Sequence, residues 1–166
     1  MITGPELLTR AHSLTEFDCG KQSLTDWLQR FAMQSQAGDS ASTYVLHRDM
    51  RVIGYYSICP SSSSREASLA RILRGLGRYD SVPAILIARL ALDRNEHGRR
   101  LGAALLKYAL LQAIEGADAI GGRVILVHAL NNAAKAFYEH FGFEPSPVAD
   151  RTLMLLMKDV RASIAS

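Results

Sequence analysis

Ala88-Arg89-Leu90-Ala91-Leu92-Asp93-Arg94-Asn95-Glu96-His97-Gly98-Arg99-Arg100-Leu101-Gly102-Ala103-Ala104-Leu105-Leu106 is the stretch that decides the fold. An apolar, strand-like run passes through a basic, glycine-bearing turn into a helical pattern. The start of a helix leaves backbone N–H groups unpaired and carries about half a positive charge, so this arrangement binds anions. Gly98 and Gly102 allow a pyrophosphate to approach the chain closely.

Working outward, residues 82–92 contain an unbroken apolar run, as expected of a central strand covered on both faces. The turn feeds a helix over residues 99–117. Residues 123–129 predict a second buried strand, 131–141 a helix capped by Asn131 and ended at Gly142-Phe143, and 152–157 a last strand. Upstream, residues 6–10 read as a short strand and Asp18-Cys19-Gly20 as a turn. A helix from Ser23 buries Leu24, Trp27, Leu28 and Phe31 at the i, i+3, i+4, i+7 spacing of one face. Residues 34–42 are a polar linker, and residues 43–47 and 52–58 are β-rich runs that read as an antiparallel hairpin. Pro60-Ser61-Ser62-Ser63-Ser64 is a loop by composition, and the arginine-rich segment to Arg78 is partly helical. The order is mixed α/β, with strands paired first by a hairpin and later separated by helices.

A chain of 166 residues fits one domain, residues 1–166, large enough to hold a core without staples. With 48% hydrophobic and 21% charged residues the composition is globular. No apolar run approaches the roughly 20 residues that cross a bilayer, so no membrane is expected. The start, Met-Ile-Thr-Gly-Pro-Glu, lacks a secretory pattern, and Cys19 and Cys59 form no C-x-x-C. Both features suit a cytoplasmic protein with free thiols. The histidines, at 12, 47, 97, 128 and 140, show no H-x-x-x-H or Cys/His grouping, so no metal site is expected. The net charge of +3 is unevenly placed. Residues 65–100 hold eight arginines against four acids, a local +4 that leaves −1 for the rest and points to a polyanionic partner.

One strand beyond the turn lies Asn131-Asn132-Ala133-Ala134-Lys135-Ala136-Phe137-Tyr138-Glu139-His140-Phe141-Gly142-Phe143. Asn131, Ala134, Tyr138 and Gly142-Phe143 resemble the N-x-x-A-x-x-x-Y-x-x-x-G-F signature of the GNAT N-acetyltransferases. The turn is similar to their Q/R-x-x-G-x-G/A acyl-CoA loop, aligned on His97, Arg100 and Gly102. His97 departs from Gln/Arg, and Arg100 departs from the first glycine. Further likeness in Phe17-Asp18-Cys19-Gly20, Leu24-Thr25-Asp26-Trp27-Leu28 and Ala88-Arg89-Leu90-Ala91-Leu92-Asp93 extends the resemblance to the TacT-like branch, the toxins of toxin–antitoxin pairs.

That resemblance implies an α/β GNAT fold, a mixed central sheet with splayed central strands flanked by helices, and acetyl-CoA as acetyl donor. Backbone groups near Leu90 and Leu92 would pair with the pantetheine arm. Gly98, Arg99, Arg100, Leu101, Gly102 and Ala103 would wrap the pyrophosphate, and Asn131 would sit close to the cofactor. Tyr138 would face the thioester sulfur. A phenol, with pKa near 10, is protonated at neutral pH and can give its proton to a departing thiolate. Asp93 and Glu96 read as solvated turn residues rather than as a general base. Lys135 reads equally as a phosphate contact or a solvated helix residue, and His128 as a cleft or structural histidine. An α-amine, with pKa near 7.7–8, needs a base less than lysine does. The toxin branch implies that aminoacyl-tRNA is the substrate, with a ribbon-helix-helix antitoxin as partner and a homodimer; the local arginine excess then predicts that Arg71, Arg74, Arg78 and Arg89 face the tRNA. The alternatives are acetylation of a small-molecule or protein amine, and a non-catalytic acyl-CoA- or RNA-binding module.

Overall fold

In the computed structural model, which describes residues 1–165, the strand-to-helix stretch becomes β4 (Ser81–Leu92) and α4 (Leu101–Ile120), with a short 3-10 turn at Arg94–Glu96. The other strands are β1 (Thr3–Leu7), β2 (Ser42–Arg48), β3 (Arg51–Ser64), β5 (Val124–His128), β6 (Glu144–Pro145) and β7 (Thr152–Leu156). The remaining helices are α1 (Gln22–Asp26), α2 (Ala32–Ala37), α3 (Ala70–Leu73), α5 (Asn132–His140) and α6 (Met157–Ala165). The seven strands are hydrogen-bonded in the order β1-β2-β3-β4-β5-β7-β6. Pairing is antiparallel in β1-β2-β3 and β5-β7-β6, and parallel between β4 and β5, so the sheet is mixed.

The chain forms two compact units. Residues 1–59 and 89–109 make the first; residues 60–88 and the chain from 110 make the second. The core of the first gathers Leu8, Phe17, Leu28, Val45, Val52, Tyr55 and Ala91. That of the second gathers Ile72, Leu76, Val82, Val124, Leu126 and Met154.

The β2–β3 hairpin closes at Asp49-Met50, both with positive φ (48° and 71°), the backbone twist a two-residue hairpin demands. The first strand lies earlier than the expected residues 6–10. After Leu7 the chain turns back on itself, with His12 N–H bonding the Thr9 carbonyl and Thr9 N–H bonding His12 Nδ1, which withdraws residues 9–12 from any ladder. The helix from Ser23 is interrupted by one π-helical turn, Trp27–Phe31. That wider turn shifts the buried face by one residue. Leu28 is buried as expected, but Phe31 is 51% exposed and Ala32, at 0%, takes the inward position.

The Pro60-to-Ser64 segment is not a loop: it is the end of β3. The last β2 partner is Ser42, opposite Ile58, so Pro60, which has no N–H to donate, lies beyond that ladder. Ser63 is buried and bonds Ser68 Oγ at 2.9 Å, which fixes the serine run as extended chain. The arginine-rich segment is helical only over α3.

Candidate active site

In the first unit, the turn after β4 is fixed by three side chains. Asp93, buried, accepts from Asn95 N–H at 2.9 Å and Asp18 N–H at 3.1 Å. Glu96, also buried, pairs with Arg48 at 2.9 Å and with Arg99 at 3.5 Å. The Arg48 guanidinium holds the Glu96 carboxyl below the usual carboxylate range. His97 Nε2 bonds the Leu92 carbonyl at 2.9 Å. The expectation that Asp93 and Glu96 are solvated is therefore corrected: both are buried and build the turn. An Asx-type signal, Asp93-x-Asn95, was the available clue.

Gly98 and Arg100 both adopt left-handed φ, 82° and 60°. The family pattern places glycine where Arg100 stands, and Arg100 keeps the glycine-like backbone. The first helical bond of α4 runs from Ala104 N–H to the Arg100 carbonyl, so the N–H groups of residues 100–103 precede the helix ladder. A left-handed residue leading into free helix N–H groups is an anion-binding nest, and it suits a pyrophosphate. Leu101, Gly102 and Ala103 are its partly exposed first turn.

The β4–β5 ladder spans Ala84–Ile87, and β4 runs on for residues 88–92. Asp93 N–H bonds the Ile53 carbonyl of β3. Because polar groups alternate along a strand, Leu92 and Leu90 turn theirs to the opposite edge. The Leu92 carbonyl is taken by His97, leaving the Leu92 N–H and the Leu90 groups as the pantetheine-pairing candidates on that edge.

In the second unit, Asn131 caps α5, its Oδ1 accepting from Ala134 N–H at 2.9 Å. The cap commits the side-chain oxygen, so a cofactor contact by Asn131 falls to its amide NH2 or backbone. Tyr138 follows two turns later, buried, with Phe137 and Phe143 edge-on at 5.4 Å each. Burial pushes its phenol up to about 12, which keeps it protonated. Lys135 is bound to Asp150 at 2.6 Å, and His128, exposed, meets Thr152 Oγ1 at 3.0 Å.

The arginines divide. Arg71 joins Glu144 at 2.6 Å and also Asp159, so it ties α3 to β6 and α6. Arg89 lies 4.2 Å over the Trp27 ring, a cation–π contact. Arg65 donates to the Gly77 and Tyr79 carbonyls. Arg74 and Arg78 are exposed and have no ion-pair partner among the described residues.

One cluster is hidden from sequence spacing. Nε2 of His12 and of His47 both approach Glu6 Oε1, at 2.8 and 2.7 Å, within metal-liganding range. Each Nδ1, however, accepts a backbone N–H, from Thr9 and Met50. A ring whose Nδ1 accepts carries its proton on Nε2, so the trio is a hydrogen-bonded clamp rather than a metal donor set.

Comparison with known proteins accords with this geometry. The acetyltransferase (GNAT) domain model matches residues 39–145. A tRNA-acetylating toxin of Mycobacterium tuberculosis is 43% identical over 162 residues, covering 98% of this chain and 96% of its own. A structure of AtaT complexed with acetyl-methionyl-tRNAfMet superposes with a TM-score of 0.88 at 28% identity, covering 99% and 98% of the two chains. A tyrosine-to-phenylalanine mutant of AtaT, bound to the C-terminus of the antitoxin AtaR and to acetyl-CoA, gives 0.83 at 27% identity, covering 100% and 98%. A fold shared so fully, together with the family match, supports one conclusion: this chain is a member of the GNAT acetyltransferase family.

Proposed function

We propose that this protein is a toxin that transfers the acetyl group of acetyl-CoA to the α-amine of aminoacyl-tRNA and so blocks translation. The observation that carries the reading is the near-full-length identity to a tRNA-acetylating toxin. Residues 1–166 act as one acetyltransferase domain, in the cytoplasm, where charged tRNA is used. The solved AtaT–AtaR complex supports an antitoxin as partner, here of the ribbon-helix-helix type acting on a homodimer.

Acetyl-CoA, when bound, supplies an activated thioester. The N–H groups of residues 100–103 hold its pyrophosphate, with Gly98 opening the turn and the Arg99 and Arg100 charges beside it. Leu90 and Leu92 offer backbone groups to the pantetheine arm, and Asn131, its side-chain oxygen committed to the cap, offers its amide NH2 to the cofactor. Tyr138 holds a proton on Oη. As the amine forms its C–N bond and the C–S bond breaks, Tyr138 gives that proton to the leaving sulfur, and the proton shed by the amine nitrogen restores the phenol. Proton count is unchanged overall. Arg74 and Arg78 meet tRNA phosphates, and Arg71 holds α3, next to them in the chain, to β6 and α6.

Induced expression in bacteria tests the reading. Growth arrest should accompany recovery of N-acetylated aminoacyl-tRNA, and the Tyr138→Phe form should permit growth. Arrest with unmodified aminoacyl-tRNA, or acetyl groups found on small-molecule or protein amines instead, contradicts it.

A further inference from the structure

The second unit contains a cavity of about 420 Å³ that takes no part in acetyl transfer. Its apolar floor includes Leu76, Pro83 and Leu156, and its lining includes Arg123, Lys158 and Arg161 but no acidic side chain. Tyr79 also lines it and is 65% exposed, so one face of an aromatic ring is open beside the cavity. The Tyr79 backbone is tied to the start of the same loop, its carbonyl accepting from Arg65 at 2.6 Å. Arg123 is likewise fixed, bonding the carbonyls of Ile72 and Arg74. Arg161 pairs with Asp118 at 2.8 Å, whereas Lys158 is exposed and has no ion-pair partner among the described residues.

An apolar floor, an exposed aromatic face and a cationic rim are the parts of a nucleotide subsite: a base stacks on the ring while the rim meets its phosphate. We propose that this cavity receives one unstacked nucleotide of single-stranded RNA, with Tyr79 as the stacking face and Lys158 and Arg161 on the phosphate. The inference rests on the reading that the substrate is a tRNA, whose single-stranded segments offer such a nucleotide. A paired duplex cannot supply it, because its bases are stacked.

The experiment compares the wild type with Tyr79→Ala and Lys158→Gln, both surface positions clear of the acetyl-transfer residues. It measures binding of charged tRNA against salt, binding of a short single-stranded RNA and of a blunt RNA duplex, and binding of acetyl-CoA. Tyr79→Ala should weaken tRNA and single-strand binding by roughly 5- to 150-fold, the usual range for loss of one stacked base. Lys158→Gln should lower the logarithmic salt slope by about 0.7–0.9. Acetyl-CoA binding should hold in both. Unchanged tRNA affinity in both variants overturns the subsite while leaving the proposed function standing. An effect of Lys158→Gln without one of Tyr79→Ala also overturns it, since that pattern fits an acidic peptide. A wild type that acetylates no aminoacyl-tRNA, yet acetylates another amine, fails the underlying reading instead.

Discussion

Tyr138→Phe removes one oxygen from a side chain packed against Phe137 and Phe143, so the fold and acetyl-CoA affinity should hold. Transfer should slow by roughly 10² to 10⁴ if the hydroxyl is the acid, which a thiol-release assay reads directly; retained activity removes Tyr138 from that role. It was singled out because Asn131, Ala134, Tyr138 and Gly142-Phe143 resemble the GNAT signature; helical spacing alone reads a tyrosine as packing. Its burial was not legible, because Phe143, which covers it, comes from beyond the helix. The same limit hid Glu6, His12 and His47, brought together by a turn and a hairpin rather than by spacing. Titration gives a second residue-scale test. Glu6 is held low by hydrogen bonds from His12 and His47, and Glu96 by Arg48. A carboxyl with a lowered folded pKa stabilises fully above its unfolded value and loses that contribution as pH falls through the folded one. Urea midpoints should therefore decline as pH drops below about 4.5, and Glu96→Gln should flatten the decline. An equally steep decline in the variant would mean that the Glu96–Arg48 pair contributes nothing.

At the scale of elements, the period of apolar residues located β4, α4, β5 and α5, because each is long or strongly patterned. It misplaced Phe31, since a π turn slips the face by one residue and nothing in local composition announces it. Trp27, in that turn, carries Arg89 at 4.2 Å and stacks on Tyr55 at 6.1 Å. Trp27→Ala should destabilise by about 1–3 kcal/mol, the sum of a cation–π contact and an aromatic pair, measurable by urea denaturation. A change below a few tenths would mean that the ring is only a surface residue. Serine content misled at residues 60–64, which are extended as the end of β3. Arg100, where the family pattern has glycine, takes a left-handed φ of 60°. Arg100→Gly should keep the fold within about 1 kcal/mol, since relief of strain and gain of unfolded-chain freedom oppose each other. It should weaken acetyl-CoA more than acetyl-pantetheine, which lacks the nucleotide. Equal weakening of both ligands would take Arg100 away from the phosphates.

For the whole molecule, the uneven charge visible in the sequence survives in the fold but is thinned by internal use. Arg71 is bound by Glu144 and Asp159, and Arg65 closes its own loop, so Arg74 and Arg78 carry the outward share. Replacing both with glutamine should lower the salt slope of tRNA binding by about 1.5 units, at roughly 0.7–0.9 per lost phosphate contact, with acetyl-CoA binding unchanged. An unaltered slope would place the RNA footprint elsewhere. The mixed order of strands and helices was readable because hairpin and crossover connections impose different spacings. The short β6 and the final α6 were not: β6 is two residues long, and α6 follows β7 directly at Met157 with no turn residue to mark its start. The central claim is that the α-amine of a charged tRNA receives the acetyl group. Mass spectrometry of mixed aminoacyl-tRNAs after incubation with the protein and acetyl-CoA tests it most directly. The account predicts acetyl on the α-amine of at least one aminoacyl ester, absent with Tyr138→Phe; aminoacyl esters left wholly unmodified while the protein acetylates another amine would contradict it.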